Sequence, residues 1–184
     1  MQVRDRIRLK SAPVIARCRV ESLLLLISLG SVVTVQAQDM PVPPELQAAI
    51  FRKIFEHDRN LAVGTSPRLL IAFSADYSQL KNRLVRAFEG VGIKPSAEPD
   101  DHIMNISQVD VLYLATQRKS FRQLCEQNSV LSITGFPSLV ENGEVAIGLT
   151  ATENKPKIVI HRKQLKAEGH ELANTLLQLA KLVD

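Results

Sequence analysis

The side chains able to carry acid–base, nucleophilic or metal chemistry are few: His57, His102, His161, His170 and two cysteines, Cys18 and Cys125. No two histidines stand three or four residues apart, so no helix presents a pair of imidazole ligands on one face. His57-Asp58 and Asp100-Asp101-His102 set imidazole beside carboxylate, the donor types of a metal site. Their simpler reading is a helix end and a solvated loop. A G-x-S-x-G nucleophile elbow is missing. Gly90-Val91-Gly92 follows a helical pattern and precedes a strand-like one, the reverse of what a phosphate loop requires. Asn105-Ile106-Ser107 meets the glycosylation pattern, which many chance tripeptides also meet. Cys125 falls with Phe121 and Leu124 at i, i+3 and i+4, on an apolar helix face. Apolar surroundings raise a thiol's pKa instead of activating it, and they favour burial over a disulfide-linked dimer. The expectation is a binding or regulatory module with no catalytic group, cofactor or metal.

The stretch Ser129–Thr150, SVLSITGFPSLVENGEVAIGLT, offers the binding candidates. It reads as a buried strand, an irregular turn and a second strand. Phe136-Pro137 takes the chain out of regular structure, since proline lacks an amide donor. Asn142-Gly143 supplies residues that tolerate positive φ. Phe136, Pro137 and Leu139 in that turn are candidates for a protein-binding surface, with Phe136 either exposed as an anchor or tucked under the turn. His161, at the end of a later strand, is the fourth candidate, against the reading of a polar strand terminus.

The elements that must position these residues follow from periodicity. Pro43-Pro44 leads into a helix whose apolar face is Leu46, Ala49, Ile50 and Ile54, widened by Phe51 and Phe55. Leu69–Phe73 is a strand apolar throughout and thus buried on both faces. Ser78 is placed to cap a second helix, with Leu80, Leu84, Val85 and Phe88 on one side and Gly90 as its stop. The segment 91–97 is at best a short edge strand, and residues 98–101 form a turn. Val109–Ala115 is a second buried strand and Lys119–Gln127 a third helix. Val145, Ile147 and Leu149 alternate along a further strand. In the next one Ile158 and Ile160 share a face opposite Val159 and His161. Thr150–Pro156 is short enough for a hairpin, so these last two strands are antiparallel neighbours. Leu165 opens a helical segment that Gly169 interrupts. Leu172, Ala173, Leu176, Leu177, Leu179 and Ala180 then form a wide stripe on a closing helix. Strands separated by single helices imply right-handed crossovers and a mostly parallel sheet, an α/β domain with an antiparallel C-terminal strand pair.

Residues 1–37 read as a signal peptide, apart from the fold. Six basic residues precede or flank Ser22–Val35, an apolar run of about 14 residues, short of the ~20 that a membrane span needs. The small-residue pattern Val35-Gln36-Ala37 places cleavage after Ala37, and the alternative of an uncleaved anchor demands a longer run. The chain holds 23 Lys and Arg against 19 Asp and Glu. Removing the 6 basic and 2 acidic residues of the leader leaves 17 of each, so the charge excess belongs to the leader. Nothing basic remains to favour nucleic acid or an anionic membrane. Residues 38–184 form one domain, long enough for a single aliphatic core.

The order and spacing of LQAAIFRKIFEHDRNL, LLIAFS, VDVLYLA, VLSITGFPSLVENGEVAIGLT and KIVIHRKQLKAEGHELANTLLQLAKLV resemble the YfiR family of small periplasmic proteins, over about Leu46 to Leu182. Asn142-Gly143 and His161 stand where the family carries Gly-Gly and Asn, and its paired cysteines are missing here. The resemblance implies an α/β sandwich with helices on both faces. It also implies a periplasmic protein that represses a membrane-bound signalling enzyme through that enzyme's periplasmic domain. The enzyme is a diguanylate cyclase, acting through cyclic di-GMP and biofilm formation, or a histidine sensor kinase. A homodimer is left open. The rivals are a small solute-binding component of a transport system and a secreted enzyme.

Overall fold

The apolar runs of the sequence become the inner strands of one seven-stranded sheet. The computed structural model describes residues 40–61 and 66–184. The expected signal peptide and its cleavage point lie outside the described residues. The strands are β1 (Leu69–Phe73), β2 (Ser96–Pro99), β3 (Val111–Ala115), β4 (Leu131–Thr134), β5 (Ile147–Thr152), β6 (Lys155–His161) and β7 (Lys181–Val183). They lie in the order β2-β1-β3-β4-β5-β6-β7. The first five are parallel, β6 is antiparallel to β5, and β7 is parallel to β6. Every residue of β3 is buried, as an inner parallel strand covered on both faces requires.

Helices cover both faces, as expected for an α/β sandwich. Against one face, Ile71, Tyr113, Ile133 and Ile160 join Phe51 and Ile54 of α1 (Pro44–Glu56) and Leu84 and Phe88 of α2 (Ser78–Gly90). Against the other, Leu70, Leu112, Leu114 and Val159 join Phe121, Cys125 of α3 (Arg122–Asn128) and Val140 of α4 (Pro137–Glu141). Cys125 is fully buried, as its helix face predicted.

Several local readings are corrected. The buried stripe of α1 is Pro44, Gln47, Ala48, Phe51, Ile54 and Phe55, whereas Leu46 is 41% exposed. A buried polar residue sets this rotation: the Gln47 amide donates to Val42 O (2.7 Å), and its Oε1 accepts from the Tyr113 hydroxyl (2.6 Å). Both bonds offset the cost of taking the amide out of water. Phe51 and Phe88 then meet the Tyr113 ring edge-on at 6.0 and 5.9 Å. Ser78 does not cap α2. A single 3-10 turn, Ala75–Tyr77, feeds the helix and Tyr77 holds the cap position without a side-chain bond. Gly90 ends α2, but the left-handed residue is Gly92 (φ 82°). Glu98 and Pro99 belong to edge strand β2, where a proline costs no ladder bond on the free side.

The turn after β4 is a short helix, because Pro137 at its first position leaves no amide unpaired that would otherwise be bonded. The β5–β6 hairpin turns through Glu153 and Asn154, both at positive φ (50° and 60°), the two-residue form that matches strand twist. Gly169 interrupts the C-terminal helical segment as expected, and the expected stripe from Leu172 to Ala180 is helical only over Asn174–Leu179. Helix α5 (Arg162–Ala167) is followed by a bend at Gly169 (φ 75°), then α6 (Asn174–Leu179). Leu176 is buried, Leu177 half-buried and Leu179 73% exposed. The described chain closes with strand β7 in place of a docked helix, because the free edge of β6 offers its backbone groups to residues 181–183. An Arg162–Asp184 ion pair fastens that end.

Candidate functional site

The α3 side of the sheet carries an open groove of about 550 Å³, lined by Ile103, Met104, Lys119, Phe121, Leu124 and Glu144 among others. Its walls come from the loop after β2, the start of α3 and the turn between α4 and β5. Ile103 and Phe121 are buried at its floor, while Met104 stands 83% exposed at its rim. Lys119 ties two walls together. Its ammonium donates to Asp100 O (2.9 Å) and Ile103 O (3.2 Å) and lies 5.0 Å over the Phe121 ring, a cation–π geometry. The third wall is held by a bond from the Ser120 hydroxyl to Glu144. Glu144 N and Val145 N both donate to Leu139 O (2.9 and 3.2 Å), which makes α4 and this wall one unit.

The four residues singled out from sequence gather around α4, and Phe136 and His161 take the alternatives named for them, a ring tucked under the turn and a polar strand terminus. The Phe136 ring is 1% exposed and meets Tyr77 edge-on at 5.4 Å. It fills the edge of the core under the turn, so it is not an exposed anchor. Pro137 and Leu139 remain half-buried beside it. His161 is 7% exposed, and its Nδ1 accepts from Gln164 N (3.1 Å), capping α5. That bond places the ring proton on Nε2 and makes the imidazole neutral. Burial lowers its pKa first, and the positive charges of Arg122 and Lys163 add to this. Gly143 (φ 73°) packs on the same ring: a Cβ there would come within 3.0 Å of Nε2. His161 is thus the polar strand terminus of the alternative reading, brought against the α4–β5 turn by Gly143.

A second polar group lies at the C-terminal end of α3, and sequence reasoning missed it. His170 Nδ1 sits 2.7 Å from Asp58 Oδ2, and its Nε2 sits 3.3 Å from Ser129 O. Aspartate, histidine and serine in this order resemble a hydrolase triad, but the serine atom involved is the backbone carbonyl. It has no proton for the imidazole to take, so the set cannot activate a nucleophile. Nearby, fully buried Glu168 accepts from Ser132 N (2.9 Å), Ser132 Oγ (2.5 Å) and Gln164 Nε2 (3.0 Å). Burial pushes its carboxyl up to about 7 against the three bonds. Burial also raises the Cys125 thiol, with the charges of Glu168 and Glu126 adding to it, so that sulfur is no nucleophile at neutral pH. Among the described residues no three His, Cys, Asp or Glu side chains come together as a metal site. His57 is exposed, and Asp100 accepts from the Thr116 hydroxyl (2.6 Å). Also among the described residues, no helix is long and apolar enough to cross a membrane. The sequence signal for the missed group was Gln164 and Glu168, one turn apart on either side of buried Leu165.

A family model described as YfiR/HmsC-like matches residues 47–181. No curated protein sequence matches the chain. Solved structures share the fold, two of them as follows. One is the ABC domain in complex with L-Trp from Streptococcus pneumonia, at 10% identity and a TM-score of 0.52, covering 77% of this chain and 60% of that one. The other is a conserved domain protein from Vibrio cholerae O1 biovar El Tor strain N16961, at 13% identity and a TM-score of 0.55, covering 78% and 61%. The chain therefore spans about three-fifths of either solved chain, and at these identities the likeness concerns the fold alone.

Proposed function

The chain belongs to the YfiR/HmsC-like family, and from that premise we propose that it is an exported regulatory protein that binds and represses a membrane-bound signalling enzyme. The enzyme is a diguanylate cyclase or, as the second choice within the same class, a histidine kinase, met through its periplasmic part. The family match over residues 47–181 carries this reading. It is supported by an α/β domain whose two buried histidines, His161 and His170, serve as a helix cap and an ion-pair partner, neither bonded to a hydroxyl or thiol among the described residues. The groove beside α3 supplies a surface for the partner. It has an apolar floor, a projecting Met104 able to adapt its shape, and the half-buried Pro137 and Leu139 on the helix behind its wall.

Repression requires differential affinity. The protein must bind the inactive conformation of the enzyme more tightly than the active one, since equal affinity shifts nothing. A preference of about 100-fold, or ~2.7 kcal/mol, is enough to silence a modestly active enzyme. Burial of about 100 Å² of apolar surface supplies that much at ~25 cal/mol per Å².

One observation favours a second reading, a small solute-binding component of a transport system: the fold likeness to a domain solved with L-Trp. A photo-crosslinking residue in place of Met104 separates the two. On the regulator reading it captures a membrane protein bearing a cyclase or kinase domain. Capture of a permease, together with calorimetric binding of a free amino acid, transfers the assignment to solute binding.

A further inference from the structure

Three ionisable side chains are buried near the C-terminal end of α3: Asp58, Glu168 and His170. Their geometry fixes a protonation state. The neighbours of the two His170 ring nitrogens are a carboxylate oxygen of Asp58 and the backbone carbonyl of Ser129. Both neighbours only accept, and a neutral imidazole has a single donor. Both contacts are hydrogen bonds only when the ring carries two protons.

The imidazolium joins three segments. Asp58 follows α1, Ser129 is the left-handed residue (φ 51°) between α3 and β4, and His170 follows Gly169 in the α5–α6 connection. Around it, residues 57–60 and 169–173 form a short seam. Arg59 N donates to Glu171 O (3.0 Å), Ala173 N to His57 O (3.0 Å), and Asp58 bridges Leu172. The Asn60 side chain reaches Gly169 O. Beyond this seam the described chain consists of α6 and β7.

We propose that His170 is a proton-operated latch: doubly protonated, it ties the α5–α6 connection to α1 and to the α3–β4 turn, and loss of one proton frees that turn and loosens residues 169–183. A neutral ring keeps one hydrogen bond to Asp58 and turns its Nε2 lone pair toward the Ser129 carbonyl, acceptor against acceptor. The titratable groups facing the ring are Asp58 from the end of α1 and Glu168 from the end of α5, whose burial-raised carboxyl, at about 7, is charged only as pH rises past that value. Cys125 of α3 lies behind Glu168 as a neutral thiol. The Arg59–Glu171 ion pair (2.7 Å) flanks the seam at the surface, where its two charges offset each other. Burial disfavours the imidazolium, but the Asp58 bond and charge, the Ser129 bond and the Glu168 charge outweigh it, and the pKa of His170 is raised. Stability from this group is therefore complete below its unfolded pKa and lost as pH rises through its folded one. This inference concerns the fold itself and stands whether or not the partner is a signalling enzyme.

The test is an NMR titration of the His170 Cε1–H resonance in the wild-type protein between pH 5 and 9, with amide exchange of residues 169–183 followed in parallel. The expected midpoint lies above the ordinary imidazole value of about 6.5. Exchange of those amides should speed up at least tenfold across that midpoint, after division by the intrinsic exchange rate. Asp58→Asn should lower the midpoint, whereas Glu171→Gln on the surface should leave it within a few tenths. A wild-type midpoint at or below 6.5, or corrected exchange in 169–183 that ignores pH, overturns the latch.

Discussion

Replacing Glu168 by glutamine removes a charge that the fold keeps buried, and the structure sets the size of the effect. The carboxyl is fully buried and pushed from 4.5 up to about 7, chiefly by burial. Because the folded value is the higher one, this group's contribution is present below the unfolded pKa and is lost as pH rises through the folded value. Between pH 4.5 and 8 the wild type gives up, at 1.36 kcal/mol per pH unit, about 3 kcal/mol through this side chain. Glutamine keeps the shape and does not titrate. Urea unfolding of both proteins at pH 4.5 and 8 measures the difference, and groups that do not face residue 168 cancel. The Glu168→Gln protein should lose about 3 kcal/mol less than the wild type over this interval. Equal losses in the two proteins would refute the assignment of a buried, proton-binding carboxyl.

Other substitutions probe the packing. Leu176→Ala should cost about 2–4 kcal/mol in chemical unfolding, whereas Leu177→Ala, half-buried, should cost about half as much or less. Tyr113→Phe strands the Gln47 Oε1 in the core and should cost about 1–3 kcal/mol by the same assay. Cys125, fully buried with its thiol pKa raised, should react with a thiol reagent slowly in the native protein and fast once unfolded. Native reaction at the free-thiol rate would place it on the surface.

The sheet was legible because its strands β1 and β3 are short, apolar on both faces and bounded by breakers. Leu69–Phe73 matches the expected strand residue for residue, and the β3–β4–β5 order follows from single crossovers. Strand β7 was not legible: Lys181-Leu182-Val183 carries no alternation, and only the free edge of β6 makes it extended. The face of α1 was misread because a hydrophobic pattern cannot foresee that Gln47 is buried by its two bonds. For Phe136, burial depends on Tyr77, which is far off in sequence and follows a different strand. The Asp58–His170 pair spans 112 residues, a separation at which neither residue signals the other. Local chemistry was readable, and pairing across the fold was not.

We propose that this chain, once exported, represses a signalling enzyme. The most direct measurement is cellular cyclic di-GMP in a strain lacking the gene, compared with the parent and with strains carrying either the full chain or a form without residues 1–37. Cyclic di-GMP and surface attachment should rise on deletion, the full chain should restore both, and the form without residues 1–37 should not. Unchanged cyclic di-GMP together with unchanged sensor-kinase output in the deletion strain would contradict this reading.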